Sequence, residues 1–264
     1  MEMISAFTTT GAAFYDAPWE LSAAEHVWRA LVAWCGGLLM WSAAISIFAP
    51  MGLGGYEVAL RQGPAVGLSV QQGQTRRPAE RLLRALWQFL PIYAGLTLLL
   101  FIALLVAGDT PLVASVHAMS TLATAGLAAS GGLEDAASGR TGELFVFLFL
   151  FFALSRATFS SPVLGEASGG LGRDPELRLA MVLVILVSGA LFLRHYLAAA
   201  QGDALEGFVN GLKARWGGLF TVLSFLTTTG FASADWLAAR NWSGLESPGL
   251  ILMGVALIGG GVAT

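Results

Sequence analysis

Five long apolar runs constrain this 264-residue chain more than any other feature of it. They extend from about Val27 to Phe48, Leu86 to Ala107, Leu144 to Pro162, Leu177 to Tyr196 and Gly249 to Thr264. A helix needs about 20 mostly apolar residues to cross a hydrocarbon core. Only 12% of the chain is charged, against about 25% in soluble domains, so there is too little charge to solvate the outside of five such runs. In lipid every backbone N–H and C=O must be satisfied internally, which leaves helices as the way to build these segments. The expected fold class is therefore all-α integral membrane, with the protein multi-pass.

The remaining composition excludes several functions. The net charge of −3 and the lack of a long basic run argue against nucleic acid. Cys35 is the single cysteine, so no internal disulfide framework is possible; it reads as a small buried residue. His26, His117 and His195 have no ligand-like spacing. No paired acids or Ser/His pair point to an enzyme, and no cofactor is expected.

Between the second and third runs, and again between the fourth and fifth, lie apolar stretches that read as too short to cross. They span about Leu112 to Ala125 and Leu205 to Thr229. Such stretches suggest re-entrant half-helices, whose irregular backbone is tolerated only when buried in protein or lining a wet cavity. Arg61, Arg76, Arg77, Arg81 and Arg84 follow the first run, and Arg173 and Arg178 follow the third. The excess of arginine places those two loops in the cytoplasm. Both short stretches then fall on the outer side, together with the N-terminal Thr/Gly cluster.

Three windows repeat. Phe7-Thr8-Thr9-Thr10-Gly11-Ala12 opens the chain. Leu122-Ala123-Thr124-Ala125-Gly126-Leu127 ends the first short stretch, and Leu226-Thr227-Thr228-Thr229-Gly230-Phe231 ends the second. The repeated unit is span, half-helix, Thr/Gly strand, span: a membrane–pore-loop–membrane unit. A dehydrated monovalent cation needs oxygens in place of its water, and rings of backbone carbonyls can supply them. Small side chains let strands approach an axis, and glycine reaches backbone conformations that turn a carbonyl toward an ion. The expected ligands are carbonyls of Thr8, Thr9, Thr10 and Gly11, of Ala123, Thr124, Ala125 and Gly126, and of Thr227, Thr228, Thr229 and Gly230.

With "TTTGAAF", "WRALVAWCGGLLMW", "HAMSTLATAGLAAS", "ELRLAMVLVILVSG", "SFLTTTGFASADW" and "LIGGGVAT", the chain resembles the Trk/Ktr/HKT superfamily of potassium transporters, and most of all its TrkH-type membrane subunits. The resemblance implies four membrane–pore–membrane repeats around one pore, with Gly11, Gly126 and Gly230 as selectivity residues. It implies potassium as the transported ion, a homodimer in the lipid of a bacterial inner membrane, and a cytoplasmic nucleotide-binding regulatory subunit. It also implies a gating loop at Gly259, Gly260 and Gly261. The second strand departs from the family's tendency toward Ser-Thr-Gly-Gly, with Ala125 adding a methyl group. The chain is expected to be a fragment, lacking the start of repeat one and all of repeat four.

The expected divisions are 1–60 for the end of the first pore loop and its following span, 61–84 for a cytoplasmic linker, and 85–165 for the second repeat. A cytoplasmic loop at 166–176 and the third repeat at 177–264 complete the chain. Arg156, inside the third apolar run, reads either as a gate or interface charge or as a snorkelling side chain. Asp16 and Asp235, each five residues past a glycine, stand at the outer mouth and read either as cation-attracting or as solvated loop acids. Trp19, Trp28, Trp236 and Trp242 suit an interfacial aromatic belt. Two alternatives remain. One is a sodium-selective or Na/K-cotransporting pore of the same architecture. The other is a secondary transporter with broken helices, which would want an acidic or histidine relay that the spans lack.

Overall fold

The structure, a computed structural model, describes residues 1–12, 15, 20–43, 46, 78–154, 175–199 and 204–259. Among these residues it is helical, with no strand paired into a sheet. The helices are α1 (Glu2–Phe7), α2 (Ala23–Ala43), α3 (Pro78–Ala107), α4 (Pro111–Leu122), α5 (Gly139–Leu154), α6 (Pro175–Ala199), α7 (Ala204–Leu226), α8 (Ala234–Ser243) and α9 (Gly249–Ile258).

Local chemistry starts and stops these helices. Ser22 and Glu25 form a capping box at the head of α2, with the Ser22 N–H and hydroxyl both donating to Glu25 Oε2 at 2.8 Å. Thr110 caps α4 and Pro111 stands in its first turn, where a missing N–H costs nothing. Ser233 caps α8, and Gly244 ends it in the left-handed conformation at φ 67°.

Among the described residues two helices are long and apolar enough to cross a membrane, Ala79–Ala107 and Arg178–Leu197. Only 22% and 28% of their most apolar windows are buried. A soluble core helix of that composition would be mostly enclosed, whereas a helix facing lipid leaves its apolar side chains outside. Val106, Leu186 and Leu197 are exposed in this way.

The half-helices sit inside the packing. α4 contacts α2, α3 and α5; α7 contacts α5, α6, α8 and α9; α1 rests on α2. Arg29 of α2 pairs with Glu2 of α1 at 2.5 Å, both side chains mostly buried.

Several expectations need correction. α7 has 23 residues and fills most of the 205–229 stretch, so it is long for a half-helix; with Asn210, Lys213 and Arg215 along it, it is not among the helices long and apolar enough to cross a membrane. α1 precedes the first Thr/Gly window, where no half-helix was expected, and α8 follows the third. Cys35 is exposed rather than buried. Trp236 is 3% exposed and edge-on to His195, so it packs the interior and does not stand in an interfacial belt. Arg156, Gly260, Gly261, Asp16, Trp19 and the 61–77 part of the linker lie outside the described residues.

Candidate functional site

Each Thr/Gly window begins where a half-helix ends. α1, α4 and α7 stop at Phe7, Leu122 and Leu226, each four residues before its glycine. The next N–H groups fold back in the same order three times. Thr9 donates to the Ala6 carbonyl, Thr124 to Thr121 and Thr228 to Phe225, at 3.0, 3.2 and 3.0 Å. Thr10 donates to Ser5, Ala125 to Ser120 and Thr229 to Ser224, at 3.0, 2.9 and 2.9 Å. These paired bonds are the Schellman arrangement, which satisfies the last helical carbonyls by turning one residue left-handed.

That residue is ordinarily glycine. Here it is threonine each time: Thr9 at φ 55°, Thr124 at φ 50° and Thr228 at φ 59°. Among the described residues they are the only non-glycine positions with positive φ. A left-handed residue other than glycine costs roughly 1–2 kcal/mol, and a β-branched one is a true outlier. Strain repeated at three equivalent places points to function. Two residues on, Gly11, Gly126 and Gly230 are again left-handed, at φ 69°, 67° and 80°. Within each tetrad the second and fourth residues have positive φ and the third does not.

The strands also lean on one another. A Cβ added to Gly11 would overlap the Ala125 carbonyl oxygen, and one added to Gly126 would overlap the Thr229 carbonyl oxygen. The third-position carbonyl of one strand therefore sits against the fourth-position glycine of the strand before it. A Cβ at Gly230 would meet nothing within 4 Å among the described residues. The structure thus sets the second strand against the first and the third against the second at these glycines.

The alanines of the second strand have a physical reason. In the first strand the hydroxyls of Thr8 and Thr10 are bonded at 2.8 Å, and in the third those of Thr227 and Thr229 at 3.0 Å. The second strand replaces both partners at once, with Ala123 and Ala125. Removing both leaves no orphaned buried hydroxyl, whereas removing one would. The methyl groups instead join a small cluster with Ala6 of α1 and Ala33 of α2, and a Cβ on Gly37 would crowd Ala123.

A serine stands six residues before each glycine: Ser5, Ser120 and Ser224. The Ser5 hydroxyl donates to the Ala12 carbonyl at 2.9 Å. The Ser120 hydroxyl accepts from the Leu127 N–H at 2.7 Å. Each braces the residue just past the glycine. The serine is visible in the sequence once the windows are extended upstream of Phe7, Leu122 and Leu226.

Other expected residues fall as follows. Gly259 ends α9, and a Cβ there would overlap the Leu226 carbonyl at the end of α7. Gly36 of α2 makes the same approach to the Phe7 carbonyl at the end of α1. Asp235 is paired with Arg140 through two bonds of 2.7 and 2.8 Å, so its charge is already matched by a cation of the protein. Among the described residues no group of three or more His, Cys, Asp or Glu side chains could hold a metal ion.

No family model matches the chain. It is 32% identical over 248 residues to the Trk system potassium uptake protein TrkH of Vibrio parahaemolyticus, covering 89% of this chain and 47% of that protein. It is 31% identical over 242 residues to the Trk system potassium uptake protein TrkI of Halomonas elongata, covering 90% and 45%. The crystal structure of the potassium transporter TrkH from Vibrio parahaemolyticus superposes with a TM-score of 0.70 at 26% identity, covering all of this chain and 50% of that one. The chain spans about half the length of the curated relatives it matches. In sequence and in fold the chain is similar to TrkH-type Trk potassium uptake proteins over about half of their length.

Proposed function

We propose that the three Thr/Gly strands form walls of a potassium-conducting filter, with backbone carbonyls of Thr8–Gly11, Ala123–Gly126 and Thr227–Gly230 replacing the ion's water. One observation carries this reading: the same alternation of φ sign in three tetrads, with a carbonyl of one strand against the glycine of the next. In an ordinary extended strand successive carbonyls face opposite sides. Reversing the sign of φ at every second residue lets successive carbonyls share a side, which is what a dehydrated cation requires. Each strand also starts at the carbonyl-bearing end of a half-helix, whose partial negative charge favours a cation.

The open side of Gly230 fits a further strand of the same kind, which would close the ring. Gly259, with Gly260 and Gly261, is the candidate gating loop, because its backbone meets the end of α7 directly. The working protein is proposed to be a homodimer in the bacterial inner membrane, with a cytoplasmic nucleotide-binding regulator, and to carry out no enzymatic reaction.

The test is growth of a potassium-uptake-deficient bacterium at low potassium, carrying the full gene. Rescue is expected. Membrane expression without rescue, or with sodium uptake alone, would overturn the potassium reading.

A further inference from the structure

Ser224 is the third of the bracing serines, and its hydroxyl is buried with no hydrogen-bond partner among the described residues. The third strand therefore lacks the brace that Ser5 and Ser120 give the other two. Something else holds its exit. Glu143, on the first turns of α5, is 1% exposed. Its Oε1 accepts from the Ala234 N–H, and its Oε2 accepts from the Ser233 hydroxyl and from Trp216 Nε1, all at 2.8 Å. Ser233 lies three residues past Gly230. One turn earlier on α5, Arg140 grips Asp235. The span that leaves the second strand thus clamps the segment that leaves the third.

A buried carboxylate is costly unless fully bonded. Three donors converge on this one, and bonds to an ionised acceptor are roughly twice as strong as neutral ones. We propose that Glu143 is a positioning residue for ion selectivity, fixing the third filter strand from outside where Ser224 leaves it unbraced. The proposal rests on the filter reading above. Glu143 touches no ion; it acts through Ser233 and Ala234 on the backbone leading back to Gly230. Its bond to Trp216 is made by the same Oε2 that holds Ser233, touches no residue between Gly230 and Ala234, and anchors α5 to α7.

The two arms can be separated. The full gene product is reconstituted in vesicles, and uptake of potassium and of sodium is measured for wild type, Glu143→Gln, Ser233→Ala and Trp216→Phe. Wild type tests the filter reading alone: potassium preferred over sodium is expected, and no potassium uptake would remove that reading. The ratio of each variant to wild type tests the clamp. Glutamine offers one acceptor oxygen where three donors converge, so Glu143→Gln is expected to lower the potassium-to-sodium ratio by at least about tenfold. Ser233→Ala is expected to lower it several-fold, and Trp216→Phe to leave it unchanged while lowering thermal stability. A ratio equal to wild type in Ser233→Ala would overturn the proposal. So would equal shifts in Ser233→Ala and Trp216→Phe, because loosened helix packing would explain both. If Glu143→Gln does not reach the membrane, the Ser233→Ala and Trp216→Phe pair decides.

Discussion

The second and third Thr/Gly strands share a backbone, and their side chains hold that backbone by different means. The second is buried among small residues: Ala123 and Ala125 pack on Ala6 and Ala33, and Ser120 ties off Leu127. Its glycine is closed in by a neighbouring carbonyl. The third pairs its own hydroxyls, leaves Ser224 without a hydrogen-bond partner among the described residues, and takes its anchorage from Glu143 and Arg140 of α5. A backbone shape can thus be kept while the means of holding it diverges. The strands tolerate threonine in a strained conformation because each is fixed on both sides of the strain.

The largest expected effect lies at the glycines. Gly126→Ala adds a methyl group at φ 67° into the Thr229 carbonyl. Left-handed strain and overpacking together cost roughly 2–5 kcal/mol, so uptake should be lost and the thermal midpoint in detergent lowered. Gly230→Ala pays only the left-handed strain if nothing seats beside it. An equal loss of uptake is expected, because a further strand is proposed there; a Gly230→Ala protein that transports like wild type would break the ring closure.

Next in size is the serine brace. Ser120→Ala leaves the buried Leu127 N–H without its acceptor, a cost of about 1–3 kcal/mol. Ser224→Ala removes a hydroxyl that bonds nothing among the described residues and should cost less than about 0.5 kcal/mol. Thermal unfolding of the two variants compares the strands directly, and similar losses would erase the distinction between them.

These braces mark where the sequence stops being readable. The apolar runs and the glycines were legible because lipid demands length and because the same short Thr/Gly window occurs three times. The serines share a six-residue offset from the glycines, but their bracing role shows only once a Schellman turn carries the chain back over them. α1 has six residues, less than two turns, and so shows no periodicity. α7 occupies most of the 205–229 stretch, and a helix packed against α5 and α6 can keep polar residues such as Asn210 on its path. Glu143 meets Ser233 across 90 residues, a distance no local pattern reports.

A smaller effect separates the hydroxyl pairs. Thr227→Ala leaves the buried Thr229 hydroxyl without its partner and should cost about 1 kcal/mol. The double variant Thr227→Ala/Thr229→Ala copies the second strand and should cost less than the sum of the singles. Strict additivity in thermal unfolding would mean that the pair is not coupled.

The smallest effect is at Arg140, whose side chain is 60% exposed. Arg140→Ala should cost under about 1 kcal/mol, and raised salt should shrink the difference from wild type. A larger, salt-independent loss would shift the anchorage of the third strand from Glu143 to Arg140.

The central claim is that the strained tetrads hold an ion on their carbonyls. Thallous ion mimics potassium and scatters strongly, so crystals of the full gene product grown with it test the claim directly. The account predicts an anomalous peak ringed by carbonyl oxygens of Thr8–Gly11, Ala123–Gly126 and Thr227–Gly230. A conducting protein whose thallous ion sits elsewhere, with no peak between these strands, would contradict it.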